Sequence, residues 1–316
     1  MMRKALIVGI DDYGDASLSG CVNDATTMST ILERNADGSP NFAIMSITSP
    51  PLGVTRQNLR QSLNQLFLGD CDVALFYFAG HGLINDSGGF IVTSDYDAYD
   101  EGISMDEILK LANKSKAKDK IIILDCCHSG TLGSTSTDGS NSTQLNDGVT
   151  ILTACRPYES ATENNGQGLF TSLLIDALYG GAADIRGYIT PGGLYAYVDA
   201  ALGPWDQRPM FKTNVSRFTR IRTVPPQIPF DVLRKLTDYF TDAQSEHDLD
   251  PTYEDTTPDA NPENVQKFKH LQKYVAEGLV KPVGEDHMYY AAMNSKSCKL
   301  TALGYHFWRL VKEGKI

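Results

Sequence analysis

The chain has 316 residues, 41% hydrophobic and 21% charged, with a formal net charge of −11. This is the composition of an ordinary folded protein, long enough for one large domain and a small one. The acidic balance argues against a general binder of nucleic acid or anionic membrane, and it suits a basic substrate.

The first 220 residues alternate apolar strands with amphipathic helices. Residues 5–10 form a continuous apolar run broken only by Gly9, as expected of a central parallel strand. The run is too short for a signal peptide or a membrane span. A helix follows with Ala25, Met28, Ile31 and Leu32 on one face, then a strand over 42–47. Thr55 caps a helix carrying Leu59, Leu63 and Leu66. Residues 73–78 are the third strand, 90–93 a short one, 105–111 a helix and 121–124 the next strand. Residues 131–148 are rich in Ser, Thr, Asn and Gly and read as a long mobile loop. The sheet resumes at 149–154, followed by a helical stripe of Leu169, Phe170, Leu173, Leu174 and Leu178 and a helix over 194–202.

This alternation predicts an α/β fold: a doubly wound, mostly parallel sheet with helices on both faces, over residues 1–223. Val224-Pro225-Pro226 marks a linker into a small α+β domain, 224–316. There, 232–240 and 265–280 read as helices, 245–262 as an acidic loop and 288–293 as half of a hairpin. Thr301 caps a last helix. Helices, a hairpin and a final helix suggest a winged-helix-like module. With 11 Lys/Arg against 14 Asp/Glu and no strong basic face, that module is expected to dock a protein partner rather than DNA.

Two strand ends carry the chemistry. One reads Ala79-Gly80-His81-Gly82, the other Asp125-Cys126-Cys127-His128-Ser129-Gly130. In a doubly wound sheet the active site lies at the carboxyl ends of the strands. A thiol and an imidazole delivered there form a nucleophile–base pair. Strand alternation puts Asp125 and Cys127 on one face and Cys126 on the other, so Cys127 is the nucleophile and His81 its base. His128, the rival base, follows the thiol directly and points away. The backbone N–H groups of Cys127 and Gly82 form the oxyanion hole. Cys126, Cys127 and His128 are adjacent and cannot converge on one metal ion, so neither metal nor cofactor is expected. The six cysteines form no disulfide framework, which fits a cytoplasmic location.

The segments Tyr77-Phe78-Ala79-Gly80-His81-Gly82 and Asp125-Cys126-Cys127-His128-Ser129-Gly130 resemble the catalytic segments of caspase-like cysteine proteases, with metacaspases and their bacterial relatives fitting best. Residues 5–10, 18–25, 150–155 and 168–171 extend the resemblance over about residues 3 to 220. It implies peptide hydrolysis by a Cys127–His81 dyad. It also implies a substrate pocket formed by Asp24 and Asp125 that receives Arg or Lys before the scissile bond. Asp125 beside the thiol would repel the acidic substrates of true caspases, for which Arg156 and Arg208 would be the cations on offer. Ala79 replaces a serine of the family motif, and the acidic residues needed for calcium are poorly matched, so no calcium requirement is expected. The loop after Cys127 holds Asp138 and Asp147 but no Lys or Arg, which implies activation by a partner without self-cleavage there. Bacterial relatives suggest a stress, defence or cell-death setting. The alternative is a non-catalytic caspase-like scaffold or a DNA-linked regulator acting through the C-terminal domain.

Overall fold

The computed structural model describes residues 2–97, 100–127, 132, 144–155, 163–164, 167–203 and 207–316. The chain divides into two compact units, Met1–Val224 and Pro225–Ile316.

In chain order the first unit contains strands β1 (Arg3–Ile10), β2 (Ala43–Ser49), β3 (Val73–Ala79), β4 (Gly82–Asn85), β5 (Gly88–Ile91), β6 (Ile103–Ser104), β7 (Asp119–Asp125), β8 (Val149–Thr153), β9 (Glu163–Asn164), β10 (Gln167–Gly168), β11 (Tyr188–Ile189), β12 (Met210–Asn214) and β13 (Arg222–Thr223). Its α-helices are α1 (Cys21–Glu33), α2 (Arg56–Phe67), α3 (Met105–Lys114), α4 (Leu169–Asp176) and α5 (Pro191–Ala201). Six strands make the central sheet in the order β12-β8-β7-β3-β1-β2, all parallel except β12 at one edge.

The central strands are buried on both faces, which is why they read as unbroken apolar runs. Every residue of β3 is buried. Side chains alternate between two cores. One holds Leu75, Tyr77 and Ile123 with Met28 of α1, Leu174 of α4 and Leu194 of α5. The other holds Phe76, Phe78 and Leu124 with Leu59 and Leu63 of α2 and Ile108 of α3. From β1 the chain goes outward to β2 and then returns to β3 on the other side of β1. The topological switch therefore falls between β1 and β3, and it opens a crevice at their carboxyl ends.

Local chemistry sets the helix starts. The Thr55 hydroxyl accepts from the Asn58 N–H at 3.3 Å and caps α2. Gly20 before α1 has no side chain to offer, and Asp11 at the end of β1 replaces it, accepting from the N–H of Cys21 at 2.8 Å and of Val22 at 3.3 Å. The expected strand at 90–93 lies a little earlier, as β5, in a small antiparallel sheet with β4 and β6.

The second unit contains α6 (Phe230–Arg234), α7 (Leu236–Tyr239), β14 (Glu246–Asp248), α8 (Pro262–Ala276), β15 (Val280–Val283), α9 (Met288–Met293), β16 (Ser297–Leu300) and α10 (Ala302–Lys312). Its three strands pair antiparallel in the order β14-β16-β15. Several expectations are corrected here. The helix expected over 232–240 is split at Lys235. The acidic stretch 245–262 carries β14. The helix expected to reach residue 280 stops at Ala276, and Val280 opens β15. Residues 288–293 are helical because Met288, Ala291 and Ala292 bury one face at helical spacing, leaving Tyr289 and Tyr290 exposed.

Candidate active site

β3 and β7 are paired parallel neighbours with Ala79 opposite Asp125, so the chain leaves both strands at the same level. The Gly80 N–H still donates to the Asp125 carbonyl at 3.3 Å. His81 and Cys127 therefore emerge side by side at the carboxyl end of the sheet. Gly82 is required there, because a Cβ on it would strike the Cys127 carbonyl. The two backbones assigned to the oxyanion hole thus lie against each other.

His81 is held from two sides. Its Nε2 lies 2.7 Å from the Ala16 carbonyl, and a carbonyl only accepts, so Nε2 carries the proton. That tautomer leaves Nδ1 as the basic nitrogen. The His81 backbone N–H donates to the Tyr13 hydroxyl at 3.0 Å, which itself donates to the Val92 carbonyl at 3.3 Å. The two rings stand 4.6 Å apart, centroid to centroid. Burial pushes the Tyr13 phenol pKa up, so the hydroxyl keeps its proton. Tyr13 and Ala16 both follow β1, so the imidazole is clamped across the switch point. Neither was singled out in the sequence. A backbone carbonyl leaves no side-chain signal, and Tyr13 lies far from His81 in the chain. A cavity of about 310 Å³ opens beside the ring, lined by Tyr13, Ala16, His81, Gly82, Leu83 and Tyr96 among others.

The two cysteines differ sharply. Cys126 is fully buried in the second core, and burial, then nearby Cys155 and Asp125, raise its thiol pKa well above the ordinary value. It stays a thiol and is inert. Cys127 is half-buried. The strand stops at Asp125, so the turn that follows, rather than continued alternation, sets the exposure of Cys127.

Asp24 and Asp125 are both buried, and the structure brings them together. Asp24 sits in the first turn of α1, Asp125 at the end of β7, and β10 runs between them. An Asp24 Oδ2 accepts from the Gly168 N–H at 2.9 Å. The Asp125 Oδ2 accepts from the Thr171 hydroxyl at 2.7 Å and the Thr171 N–H at 3.3 Å. A Cβ on Gly168 would stand 2.5 Å from Asp125 Oδ2 and 3.1 Å from Asp24 Oδ2, so only glycine fits between the carboxylates. Thr171 gives its proton to Asp125, hence the 2.6 Å contact with Tyr77 is donated by the tyrosine. Burial, then Asp125 and Asp24, hold the Tyr77 phenol pKa well up. Gly168 and Thr171 belong to a segment that the resemblance includes, yet their part in holding the carboxylates was not legible in it.

Arg208 is unsuited to an acidic-substrate pocket. Its guanidinium reaches Asp199 at 2.5 Å and the Leu202 carbonyl at 3.0 Å, at the end of α5. His128, Arg156 and Asp138 lie outside the described residues, as does most of the loop after Cys127. Of the loop's described parts, Leu132 is buried and its carbonyl accepts from Lys212 at 2.5 Å. Asn146 is doubly hydrogen-bonded to Asn113 of α3. The mobile loop expected over 131–148 is therefore anchored at these points.

A family model for the caspase domain, a peptidase domain, matches residues 2–212. The chain belongs to the caspase family of cysteine peptidases. It is similar to Metacaspase-1A of Neurospora crassa, 32% identical over 108 residues that cover 32% of this chain and 23% of that protein. It is also similar to Metacaspase-3 of Arabidopsis thaliana, 28% identical over 151 residues, and to Metacaspase-2 of Trypanosoma brucei brucei, 32% identical over 152 residues. Those two matches cover 41% of this chain, and 40% and 42% of the relatives respectively. The chain thus spans well under half the length of these curated relatives. A crystal structure of a Geobacter sulfurreducens protein shares the fold, with a TM-score of 0.53 at 18% identity, covering 71% of this chain and 100% of that one. No helix among the described residues is long and apolar enough to cross a membrane.

Proposed function

We propose that the chain is an endopeptidase that cleaves after Arg or Lys, with Cys127 as nucleophile, His81 as base, and Asp24 and Asp125 receiving the substrate cation. The observation that carries this reading is the pair of buried carboxylates meeting at Gly168, one of them two residues from the thiol. A guanidinium or ammonium entering there gains charge-assisted hydrogen bonds in a water-poor setting.

The reaction follows from the groups present. His81 Nδ1 takes the Cys127 thiol proton, and the sulfur attacks the carbonyl carbon. The Gly82 and Cys127 N–H groups stabilise the oxyanion. As the C–N bond breaks, the imidazolium returns its proton to the leaving amine. Water then hydrolyses the thioester, again with His81 as base. The reaction needs no metal or other cofactor. Tyr13 and the Ala16 carbonyl act through His81 as positioning groups.

The second unit is proposed as a winged-helix-like docking module for an activating protein. Its three-stranded antiparallel sheet with flanking helices supports that, while α9 departs from it by occupying the connection between β15 and β16 where a hairpin turn is expected. A cytoplasmic stress or defence setting belongs to the same proposal and rests on family analogy. The deciding experiment is a fluorogenic peptide panel with Arg, Lys, Gln or Asp before the scissile bond. Cleavage of Arg and Lys peptides alone is expected, and preference for Asp would overturn the specificity.

A further inference from the structure

A cavity of about 490 Å³ opens on the first unit at the amino ends of the central strands, away from the catalytic end. The strands β1, β3 and β7 begin at its wall with Arg3, Val73 and Asp119, and the segment carrying Arg217, Phe218 and Arg220 closes it. The volume is within the range of small-molecule sites.

Its charge runs against that of the chain. Four basic side chains line it, Arg3, Lys118, Arg217 and Arg220, against two acidic ones, Asp72 and Asp119. Lys118 and Asp72 neutralise each other at 2.8 Å. Three guanidinium groups then face one further carboxylate. Among the described residues, Arg3, Arg217 and Arg220 form no salt bridge. Crowding is visible at Arg3, whose pKa is lowered to about 10 by burial and then by Arg220. It remains charged at neutral pH.

Two of the cations, Arg3 and Arg220, are also pre-positioned. The Arg3 guanidinium lies 4.1 Å from the centre of the Phe42 ring and donates through Nη2 to the Arg220 and Ile221 carbonyls. Its Nε is buried with no hydrogen-bond partner, a cost that stable folds seldom carry without a reason. Arg220 is stacked 4.5 Å from the centre of the Tyr188 ring, which fixes the plane of its fork. A planar, pre-oriented guanidinium loses little freedom on pairing with a phosphate, and guanidinium groups match its oxygens better than ammonium groups would.

We infer that this cavity binds a small phosphorylated ligand, with Arg217 and Arg220 gripping its phosphates over the Arg3 floor. The site is separate from the peptidase chemistry, and nothing in the reaction above uses it.

Calorimetric titration of the full chain with ADP and with inorganic pyrophosphate tests this at low salt. Saturable one-to-one binding of either probe is expected. The dissociation constant should rise at least tenfold in the Arg217→Ala/Arg220→Ala double variant and should weaken steadily with added salt. Both side chains are exposed, so the double variant should fold normally, which circular dichroism checks. The Cys127→Ala chain should bind as the unaltered chain does, so the result can be read whatever becomes of the peptidase proposal. No saturable binding of either probe at millimolar concentration would overturn the inference. So would binding that the double variant leaves unchanged.

Discussion

Each unit holds a network of titratable side chains at least half-buried, and the two networks differ in electrical character, one negative and one neutral. In the peptidase unit, Tyr77 donates to Thr171, Thr171 donates to Asp125, and Gly168 donates to Asp24. Every one of these donors leads toward a carboxylate, and donors so arranged stabilise negative charge. In the second unit, two imidazoles are wired among tyrosines. His270 Nδ1 meets the Tyr239 hydroxyl at 2.7 Å, and His247 Nε2 meets the Tyr253 hydroxyl at 3.0 Å. There, burial lowers both histidine pKa values and keeps the rings neutral. Buried polarity alone is therefore no mark of a functional site. The first network presents charge beside a half-exposed thiol, whereas the second satisfies its own hydrogen bonds among buried and half-buried side chains.

The contrast matters only if the thiol works, so its removal has the largest expected effect. Cys127→Ala and His81→Ala should each lower peptidase activity by more than about a thousandfold, with the fold retained. Cys126→Ala should keep most of the activity, losing only the packing of one small buried group. Mass spectrometry after iodoacetamide treatment gives an independent readout, with Cys127 expected to alkylate and Cys126 not. An inactive but folded Cys126→Ala, with Cys127→Ala active, would reverse the assignment.

The next largest effect attacks the first network directly. Asp125→Asn keeps an oxygen to accept from Thr171 while removing the charge. It should cost about 2–5 kcal/mol in kcat/KM for Arg peptides. Asp24→Asn should act in the same direction. If the carboxylates merely held the core together, both variants would lower the melting temperature and leave the preference for Arg over Gln unchanged. Unfolding and kinetics measured on the same samples separate the two cases.

The central sheet was legible in the sequence for a physical reason. Parallel strands buried on both faces must be apolar where they cross the core, and all of β3, residues 5–10 of β1, 121–124 of β7 and 151–152 of β8 are. The strand ends were equally plain, because a histidine between glycines and paired cysteines after an apolar run stand out. What holds them was not. The Ala16 carbonyl belongs to a residue whose identity is irrelevant to the contact. Tyr13 reaches His81 only once β1 and β3 pair. The edge strand β12, short and half-exposed, left too weak an alternation to be recognised. In the second unit, residues 288–293 read as half of a hairpin in the sequence but form α9. Its buried positions follow a helical spacing, which only tertiary packing selects.

Tyr13→Phe asks how far the imbalance of the first network extends to the dyad. The ring and its contact with His81 remain, and the hydroxyl that accepts from the His81 N–H is lost. One neutral hydrogen bond is worth about 0.5–1.5 kcal/mol, so a roughly threefold to tenfold fall in kcat is expected. KM for Arg peptides should stay unchanged, because Asp24 and Asp125 are untouched. A purely structural tyrosine would leave kcat intact and shift only the melting curve.

The smallest effect tests the second network. The Tyr239 carbonyl lies 3.1 Å from His247 Nδ1, which must therefore carry the proton, leaving Nε2 to accept from Tyr253. At His270, Gln266 Nε2 lies 3.1 Å from the ring Nε2, so that nitrogen accepts and Nδ1 donates to Tyr239. A second proton on His270 would confront the Gln266 amide N–H, and one on His247 would force the Tyr253 hydroxyl to turn from donor to acceptor. At His247 the Tyr239 carbonyl favours the proton, with Lys267 opposing it and Asp248 favouring it more weakly; at His270 Lys235 and Lys273 oppose it and Asp231 favours it more weakly. Because the folded pKa values lie below the ordinary 6.5, the unfolded chain binds more protons as pH falls. Stability of the second unit should thus be full well above pH 6.5 and decline as the pH falls below it, until the folded rings protonate as well. Urea unfolding between pH 5 and 7.5, followed by Trp308 fluorescence in a Trp205→Phe background, reads this unit. His270→Gln should reduce the pH dependence. Stability that rises on acidification would mean that the rings are charged in the fold, and the contrast between the two networks would fail.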